Sequence, residues 1–421
     1  MSVKQGIFYG WVIVIAAFTI LFITSGINFS YGVFYLPIIG EFGWTRGLTA
    51  GVVMVAGLIY AVTLPFTGFL ADRYDYRWIM VVATGLLSLG LMLCSQVQDI
   101  WQLYMCGGVL IGLSLSASFA IPVALVAVWF RKRQGLAVGT ATVGISLGTA
   151  LIPLLISSLI SSVGWRTTYL IAGIAVALVC IPAALAMRKP RSGELTLMSD
   201  SPGAGRAMAA GPSVEAEAGL TLRQALGTRQ FWMLFTVFAF FLLSLGLVIV
   251  HIVPYAVDSG LTPVAAAGLL TVIGVVGIAG RLTAGVVSDR VGVKPVILFC
   301  LTLAIVIITW IAFSQDIAAF YIFAALFGIA YPGFVTMMVR ITRQIFGFKA
   351  LGAIFSMLMV SDGIGTGVGP WLAGYAFDLT GSYRLPLLAV AAGLVIAAVL
   401  TVVVKPPVMK AVAQTEIDSA A

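Results

Sequence analysis

Long apolar stretches separated by short polar connections repeat along the whole chain. They are predicted at about 8–36, 46–70, 77–95, 101–129, 135–160, 166–187, 230–256, 264–288, 294–314, 316–343, 350–376 and 384–404. An apolar helix of about 20 residues is long enough to cross the hydrocarbon core of a bilayer. The pattern therefore predicts an all-α, polytopic membrane protein with twelve transmembrane helices, α1 to α12 in chain order.

The composition of the chain is that of a membrane protein. Of the 421 residues, 61% are hydrophobic and 9% are charged, whereas soluble domains carry about 25% charged residues. The first apolar stretch lacks a small-residue cleavage pattern, so we expect it to be retained as α1 and not removed as a signal peptide. The 4 cysteines lie within predicted helices without metal-site spacing. No metal, cofactor or catalytic residue is predicted, and the protein is not expected to be an enzyme.

Positive charges lie mainly on one side of the predicted membrane. When the N-terminus is placed in the cytoplasm, most of the 23 Lys and Arg residues fall on the cytoplasmic side. The exceptions are Arg46, Arg166 and Arg384 on the outer side and Arg281 within a span. This asymmetry follows the positive-inside rule and predicts that both termini are cytoplasmic. The net charge of +8 is then a consequence of membrane topology, and no nucleic-acid partner is predicted.

A polar segment at 190–228 divides the chain into two halves. It is rich in Gly, Ala, Ser and Pro and has no apolar periodicity, so it is interpreted as a cytoplasmic linker. Its last part, "LTLRQALGTRQFW", favours a short interfacial helix that begins at Thr221. The predicted units are a six-helix bundle at 1–189, this linker, a second six-helix bundle at 229–405 and a cytoplasmic tail at 406–421.

The two halves match each other at a constant offset of 217 positions. Matching residues share their type, and the pairs are Pro37 and Pro254, Glu41 and Asp258, Gly43 and Gly260, Gly57 and Gly274, Gly68 and Gly285, Lys132 and Lys349, Gly135 and Gly352, Gly148 and Gly365, Pro153 and Pro370, and Gly164 and Gly381. Six spans per half is an even number, so both halves run the same way through the membrane. Parallel six-helix repeats are the architecture of major facilitator transporters, in which the substrate site lies near the midplane between the halves.

The loops after α2 and α8 carry a related motif. "GFLADRYDYRWIM" at 68–80 and "GVVSDRVGVKPVI" at 285–297 resemble the major facilitator signature between helices 2 and 3 and its repeat between helices 8 and 9. The resemblance implies gating roles at helix junctions, through charge-assisted hydrogen bonds, for four residues: Asp72, Arg73, Asp289 and Arg290.

Arg281 is the most unusual residue of the apolar spans. Its repeat partner is Leu64, so the fold itself does not require a charge there. It precedes Asp289 by eight residues, or about 12 Å along a helix, which places it near the midplane. A charge at that depth costs from about 2.5 to over 10 kcal/mol, depending on local water. We expect Arg281 to bind a substrate carboxylate, since its planar fork matches two oxygens. The alternative is that it reaches to the inner surface.

Three other ionisable residues are candidates within or beside the spans. Asp258, at the outer end of α7, is a candidate proton-coupling residue that pairs with Arg281 when the site is empty; alternatively, it simply begins an outer loop. His251 lies on the same helical face and is either a second proton site or a neutral buried histidine. Asp362 in α11 matches the apolar Ile145, and no role is assigned to it.

Two further motifs resemble the monocarboxylate transporter family. "WFRKRQGLAVGTATVGISLG" at 129–148 resembles the family's helix 4–5 signature, and "FYGWVIV" at 8–14 resembles its helix 1 signature as found in bacterial members and oxalate/formate exchangers. The resemblance implies that Arg281 occupies the position of the family's carboxylate-binding arginine. Two positions depart from it, since Gly277 replaces an acid one turn before this arginine and Phe29 replaces a helix 1 lysine. The exchangers are expected to use a second cation from helix 11, and α11 has none.

Helix faces add six candidates for the walls of the substrate site. They are Asn28, Phe119, Ile145, Tyr331, Phe334 and Tyr383. For the aromatic residues among them, the alternative role is packing between helices. Pro332 and Gly333 follow Tyr331 and are expected to let α10 act as a hinge.

The sequence therefore predicts a secondary active transporter of a small monocarboxylate such as lactate or pyruvate, moved with a proton. The expected setting is a bacterial inner membrane, with a monomer as the transport unit. One alternative is an organic-anion exchanger of the oxalate/formate kind without proton coupling. The other is a carboxylate sensor, which would need a structured signalling segment.

Overall fold

The computed structural model describes residues 9–130, 134–190, 219–314 and 316–405, except for the side chain of Asp72. Within these ranges the chain is helical apart from short connections and one isolated bridge between Gly219 and Gly347. Eleven helical stretches are long and apolar enough to span a membrane. The prediction of an all-α, two-bundle membrane protein is confirmed, while the predicted cytoplasmic tail and most of the linker lie outside the described residues.

The N half contains six spans in five continuous stretches. They are α1 at Tyr9–Phe42, α2 at Arg46–Arg73, α3 at Tyr76–Cys94, α4 at Ile100–Trp129, and α5 and α6 within one stretch at Gln134–Ala186. The chain turns between α5 and α6 at Gly164, whose φ of 79° is readily adopted only by glycine. Helix α1 is interrupted at Ser30, and α4 contains a π-helical segment at Tyr104–Leu110.

The C half repeats this arrangement. Its spans are α7 at Arg229–Asp258, α8 at Pro263–Val291, α9 at Val293–Ile311, α10 at Ile317–Phe346, α11 at Leu351–Thr380 and α12 at Arg384–Val403. Helix α11 is interrupted at Met359, between Leu351–Leu358 and Val360–Thr380.

A short helix at Leu222–Leu226 precedes the C half. Thr221 caps it, and the side chain of Gln224 bonds back to the backbone N–H of Thr221. This reciprocal pattern satisfies two N–H groups that a helix start leaves free, which explains why a helix begins here.

Glycines allow the two halves to approach closely. A Cβ on Gly57 of α2 would lie 2.3 Å from the carbonyl oxygen of Gly363 in α11. A Cβ on Gly274 of α8 would lie 2.6 Å from the carbonyl oxygen of Ser146 in α5. Helices α2 and α11, and α5 and α8, therefore meet backbone to backbone, as small residues permit in membranes.

Candidate functional site

Arg281 has no ionic partner among the residues that the structure describes. It is half-buried in α8, and its Nε atom is buried without a hydrogen-bond partner. The side chain in its electrostatic range is Tyr331 of α10. An unpaired guanidinium at this depth is costly.

Tyr331 places this arginine near the interface between the halves. The Tyr331 side chain is buried, and its ring meets that of Phe29 from α1 edge to face, with 6.4 Å between centroids. Phe29 belongs to the N half and Tyr331 to the C half. The charge of Arg281 therefore lies close to the interhalf boundary, where repeat transporters bind their substrates.

The other predicted wall residues divide into two groups. Asn28, Phe119 and Ile145 are half-buried on α1, α4 and α5. Phe334 is fully buried and stacks on Phe241 of α7 at 3.7 Å, so in this conformation it packs within the C half. Tyr383 lies in a different place, at the start of α12, where it joins the network described next.

Four residues form an ionic network across the halves at the face opposite to the one where α1 begins. We name that face distal, the other face terminal, and this set of Arg46, Asp258, Asp378 and Tyr383 the distal network. The Arg46 guanidinium donates to both carboxylate oxygens of Asp258, at 2.6 and 2.9 Å, and to the Tyr383 hydroxyl at 2.6 Å. The backbone N–H groups of Arg46 and Gly47 donate to Asp378, at 2.8 and 2.7 Å. The network joins α2 of the N half to α7, α11 and α12 of the C half.

This geometry corrects the pairing expected for Asp258. The sequence hypothesis joined Asp258 to Arg281, but its carboxylate is bound by Arg46. His251 is buried, and its ring nitrogens lie 3.1 Å from the Tyr383 hydroxyl and 2.8 Å from the carbonyl oxygen of Pro370. Both residues thus serve contacts at the distal face in this conformation, away from Arg281.

The sequence carries a signal for Arg46. Its repeat partner is Pro263, so Arg46, like Arg281, is a charge that only one half carries. Asp378 likewise has Ser161 as its partner. Comparison of the halves identifies charged residues that only one half carries, but it does not show which residues they contact.

The motif loops lie at the terminal face. Asp289 accepts from Arg340 of α10 at 2.6 Å, and Arg340 also donates to the Ser288 hydroxyl. Arg73 lies over the Phe69 ring at 4.3 Å, and Arg290 is exposed. The bond between Asp289 and Arg340 ties α8 to α10 inside the C half; the side chain of Asp72 lies outside the described residues.

The two faces differ in how closely the halves meet. Gly57 and Gly274, which form one repeat pair, are both in tight contact across the halves. Nearer the terminal face, Gly68 with its partner Gly285, and Gly135 with its partner Gly352, have no atom within 4 Å of an added Cβ. The distal network joins the halves at the distal face. Nearer the terminal face, α2, α5, α8 and α11 have open space beside these four glycines.

Asp362 is a second unpaired charge in the interior. It is half-buried in α11, and its carboxylate accepts from the Tyr60 hydroxyl of α2 at 3.4 Å. It forms no ion pair within the described ranges. Tyr331 lies in electrostatic range of both Asp362 and Arg281, so the three residues occupy one region of the interior.

Known proteins with a related sequence or structure share this fold. Residues 13–286 and 269–417 match the Major Facilitator Superfamily. The structure resembles that of a bacterial homologue of the human lysosomal transporter Spinster, with a TM-score of 0.72, 18% identity and coverage of 95% of this chain and 97% of that chain. It also resembles the nucleoside transporter NupG, with a TM-score of 0.73, 12% identity and coverage of 94% and 99%.

Curated relatives are similar along most of the chain. Monocarboxylate transporter 12 of Rattus norvegicus is 25% identical over 404 residues, which are 90% of this chain and 82% of the relative. Monocarboxylate transporter 4 of the same organism is 25% identical over 380 residues, 89% of this chain and 79% of the relative. MFS-type transporter 1 of Ophiocordyceps sp. (strain BCC 1869) is 27% identical over 367 residues, 84% and 75%.

The chain belongs to the Major Facilitator Superfamily. It is similar to monocarboxylate transporters, and its relatives are transporters and not enzymes.

Proposed function

We propose that this protein is a secondary active transporter that carries a small monocarboxylate, such as lactate or pyruvate, together with a proton. The observation that carries the proposal is the unpaired Arg281 guanidinium near the interhalf boundary. A monocarboxylate supplies two oxygens for its planar fork, and one cation balances one carboxylate. The names of the relatives support the same substrate class.

The distribution of charge supports an orientation. Lys and Arg residues are concentrated at the terminal face, which we place in the cytoplasm of a bacterial inner membrane by the positive-inside rule. The space at the terminal face then opens inward, and the distal network closes the outer side. Alternating access would rock the halves around Arg281 and Tyr331.

Uptake of labelled L-lactate into proteoliposomes, with and without an inward proton gradient, tests this function. We expect wild type to accumulate lactate only with the gradient. Arg281→Ala is expected to lose at least about tenfold in uptake, because hydrogen bonds to charged groups contribute about 1.5 to 3 kcal/mol. Arg223→Gln removes an exposed arginine in the short helix before α7 and serves as the matched control.

Each other outcome has a defined meaning. Uptake that needs internal anion and ignores the gradient would replace symport with anion exchange. Full activity of Arg281→Ala would show that this arginine does not bind the substrate. Tight lactate binding without any transport would favour a sensor.

A further inference from the structure

The carboxylate of Asp362 lies where the halves separate. The next residue, Gly363, packs against Gly57 so closely that an added Cβ would lie 2.3 Å from the Gly57 carbonyl oxygen. Toward the terminal face, Gly68 of α2 and Gly352 of α11 have open space beside them. Asp362 therefore lies beside the tight part of the α2–α11 contact, on the side that leads toward the open space.

The groups facing Asp362 provide little compensation for a negative charge. Helix α2 contributes the Tyr60 hydroxyl at 3.4 Å, which is a long hydrogen bond. Helix α10 contributes Tyr331, and α8 contributes Arg281 beyond it. Helix α7 meets this part of α11 through backbone and apolar groups of Ala239 and Leu243 at Gly365 and Gly369, with no titratable group among those contacts.

The repeat shows that this acid is not needed for folding. The partners of Tyr60 and Asp362 in the other half are Gly277 and Ile145, so the equivalent position of the α5–α8 contact has neither the hydroxyl nor the acid. The contact at Gly274, 2.6 Å from an added Cβ, is nevertheless nearly as tight as the 2.3 Å contact at Gly57. A carboxylate in the interior that the architecture does not require, and that costs free energy without a cation, indicates a function.

We propose that Asp362 is the proton-binding residue that couples transport, with Tyr60 as its positioning partner. In the empty interior Asp362 and Arg281 carry one charge of each sign without forming an ion pair, so the region has no net charge. When a carboxylate binds to Arg281, the carboxylate of Asp362 takes a proton from hydronium, which becomes water, and the interior is neutral again. An anion bound without the proton leaves one uncompensated charge, which disfavours closure around it.

This inference rests on the proposed function, and it assigns the proton to α11 instead of Asp258. The test is made on purified protein in proteoliposomes with Asp362→Asn, which keeps the size of the side chain and its ability to accept from Tyr60. We expect at least tenfold loss of gradient-driven lactate accumulation, while lactate counterflow persists and no longer depends on pH. Asp316→Asn, an exposed acid that begins α10 without a side-chain cap bond, is the matched control.

A second measurement tests the role of Asp362 even if the variant no longer transports lactate. Lactate is added to detergent-solubilised protein in weak buffer, and proton uptake is followed with a pH dye. Wild type is expected to take up about one proton per bound lactate, and Asp362→Asn none.

The possible failures are distinct. Wild-type protein without lactate binding or counterflow overturns the proposed function and the coupling together. Normal accumulation and normal proton uptake in Asp362→Asn overturn the coupling residue alone, and loss of both in Asp258→Asn would assign the proton to α7.

Discussion

Two acidic residues occupy equivalent positions at the distal ends of α1 and α7, and they are bound differently. Glu41 accepts from Arg166 at 2.7 Å and from the Trp165 indole at 2.6 Å, both of which begin α6 of its own half. Asp258 accepts from Arg46 of the opposite half at 2.6 and 2.9 Å. The acid of the N half thus stabilises its own bundle, whereas the equivalent acid of the C half joins the two bundles.

The difference matters because the halves of a repeat transporter move as units. The Glu41 contacts remain intact when the distal face opens, whereas the Asp258 contacts must break. One copy of the repeated position therefore contributes to the stability of a bundle, and the other contributes to the equilibrium between conformations. Substitutions at the two sites should separate these effects.

The largest expected effect is at the glycine contact beneath the distal network. Gly57→Ala places a Cβ 2.3 Å from a backbone oxygen of α11, which cannot rotate away as a side chain can. We expect this variant to abandon the closed distal conformation. Spin labels at Ser162 and Asp316, both exposed at the distal face in opposite halves, should show a longer distance in most molecules.

Gly68→Ala is the matched control for this prediction. No atom lies within 4 Å of its added Cβ, so the distance between the labels should stay as in wild type. A Gly57→Ala protein with an unchanged distance would contradict the tight contact of α2 and α11.

Removal of the Asp258 charge should have an intermediate effect. Ion pairs with exposed members contribute up to about 1 kcal/mol, and the Asp258 side chain is 34% exposed. Asp258→Asn should therefore increase the fraction of molecules open at the distal face by up to about fivefold, since 1.4 kcal/mol corresponds to a factor of ten.

Glu41→Gln is the variant to compare with Asp258→Asn. It should leave the distance between the spin labels unchanged and lower the thermal stability of the protein. Equal shifts of the conformational equilibrium in the two variants would contradict this difference, because both acids would then stabilise the closed distal face.

The smallest effect is expected for Tyr383→Phe. The change removes one hydroxyl that accepts from Arg46 and lies 3.1 Å from His251, but it keeps the ring packed against Phe377, at 4.6 Å between centroids. Arg46 keeps both of its bonds to Asp258 in this variant. We therefore expect a change of only about twofold in the opening rate, or about 0.4 kcal/mol, measured by single-molecule fluorescence. A larger change than in Asp258→Asn would place the tyrosine, and not the ion pair, at the centre of the distal closure.

Much of the fold was predictable because it depends on local properties. Twelve apolar spans follow from hydropathy, since each crosses the bilayer independently and satisfies its own backbone. The helix at Leu222–Leu226 follows from Thr221 and Gln224, which lie three residues apart. The unusual position of Arg281 could also be seen, because its partner Leu64 shows what the fold alone requires.

The contacts across the halves were not predictable in the same way. The sequence hypothesis joined Asp258 to Arg281 from their approximate depths, and it assigned no role to Asp362. Phe334 and Tyr383 were assigned to the substrate site from helix faces, although Phe334 stacks within its own bundle. The position of a residue on a helical face predicts the direction of its side chain relative to the axis of that helix, but it does not specify which helix lies next to it.

By itself, the sequence determined the membrane class, the repeat and the presence of an unneeded charge in α8, because these are encoded in hydrophobicity, offset and composition along one chain. Only the tertiary structure decided that Arg46 binds Asp258, that Tyr60 meets Asp362, and that the distal face is closed. Those contacts join residues about 200 to 300 positions apart, and they depend on the angle between two rigid bundles, which no local pattern in the chain records.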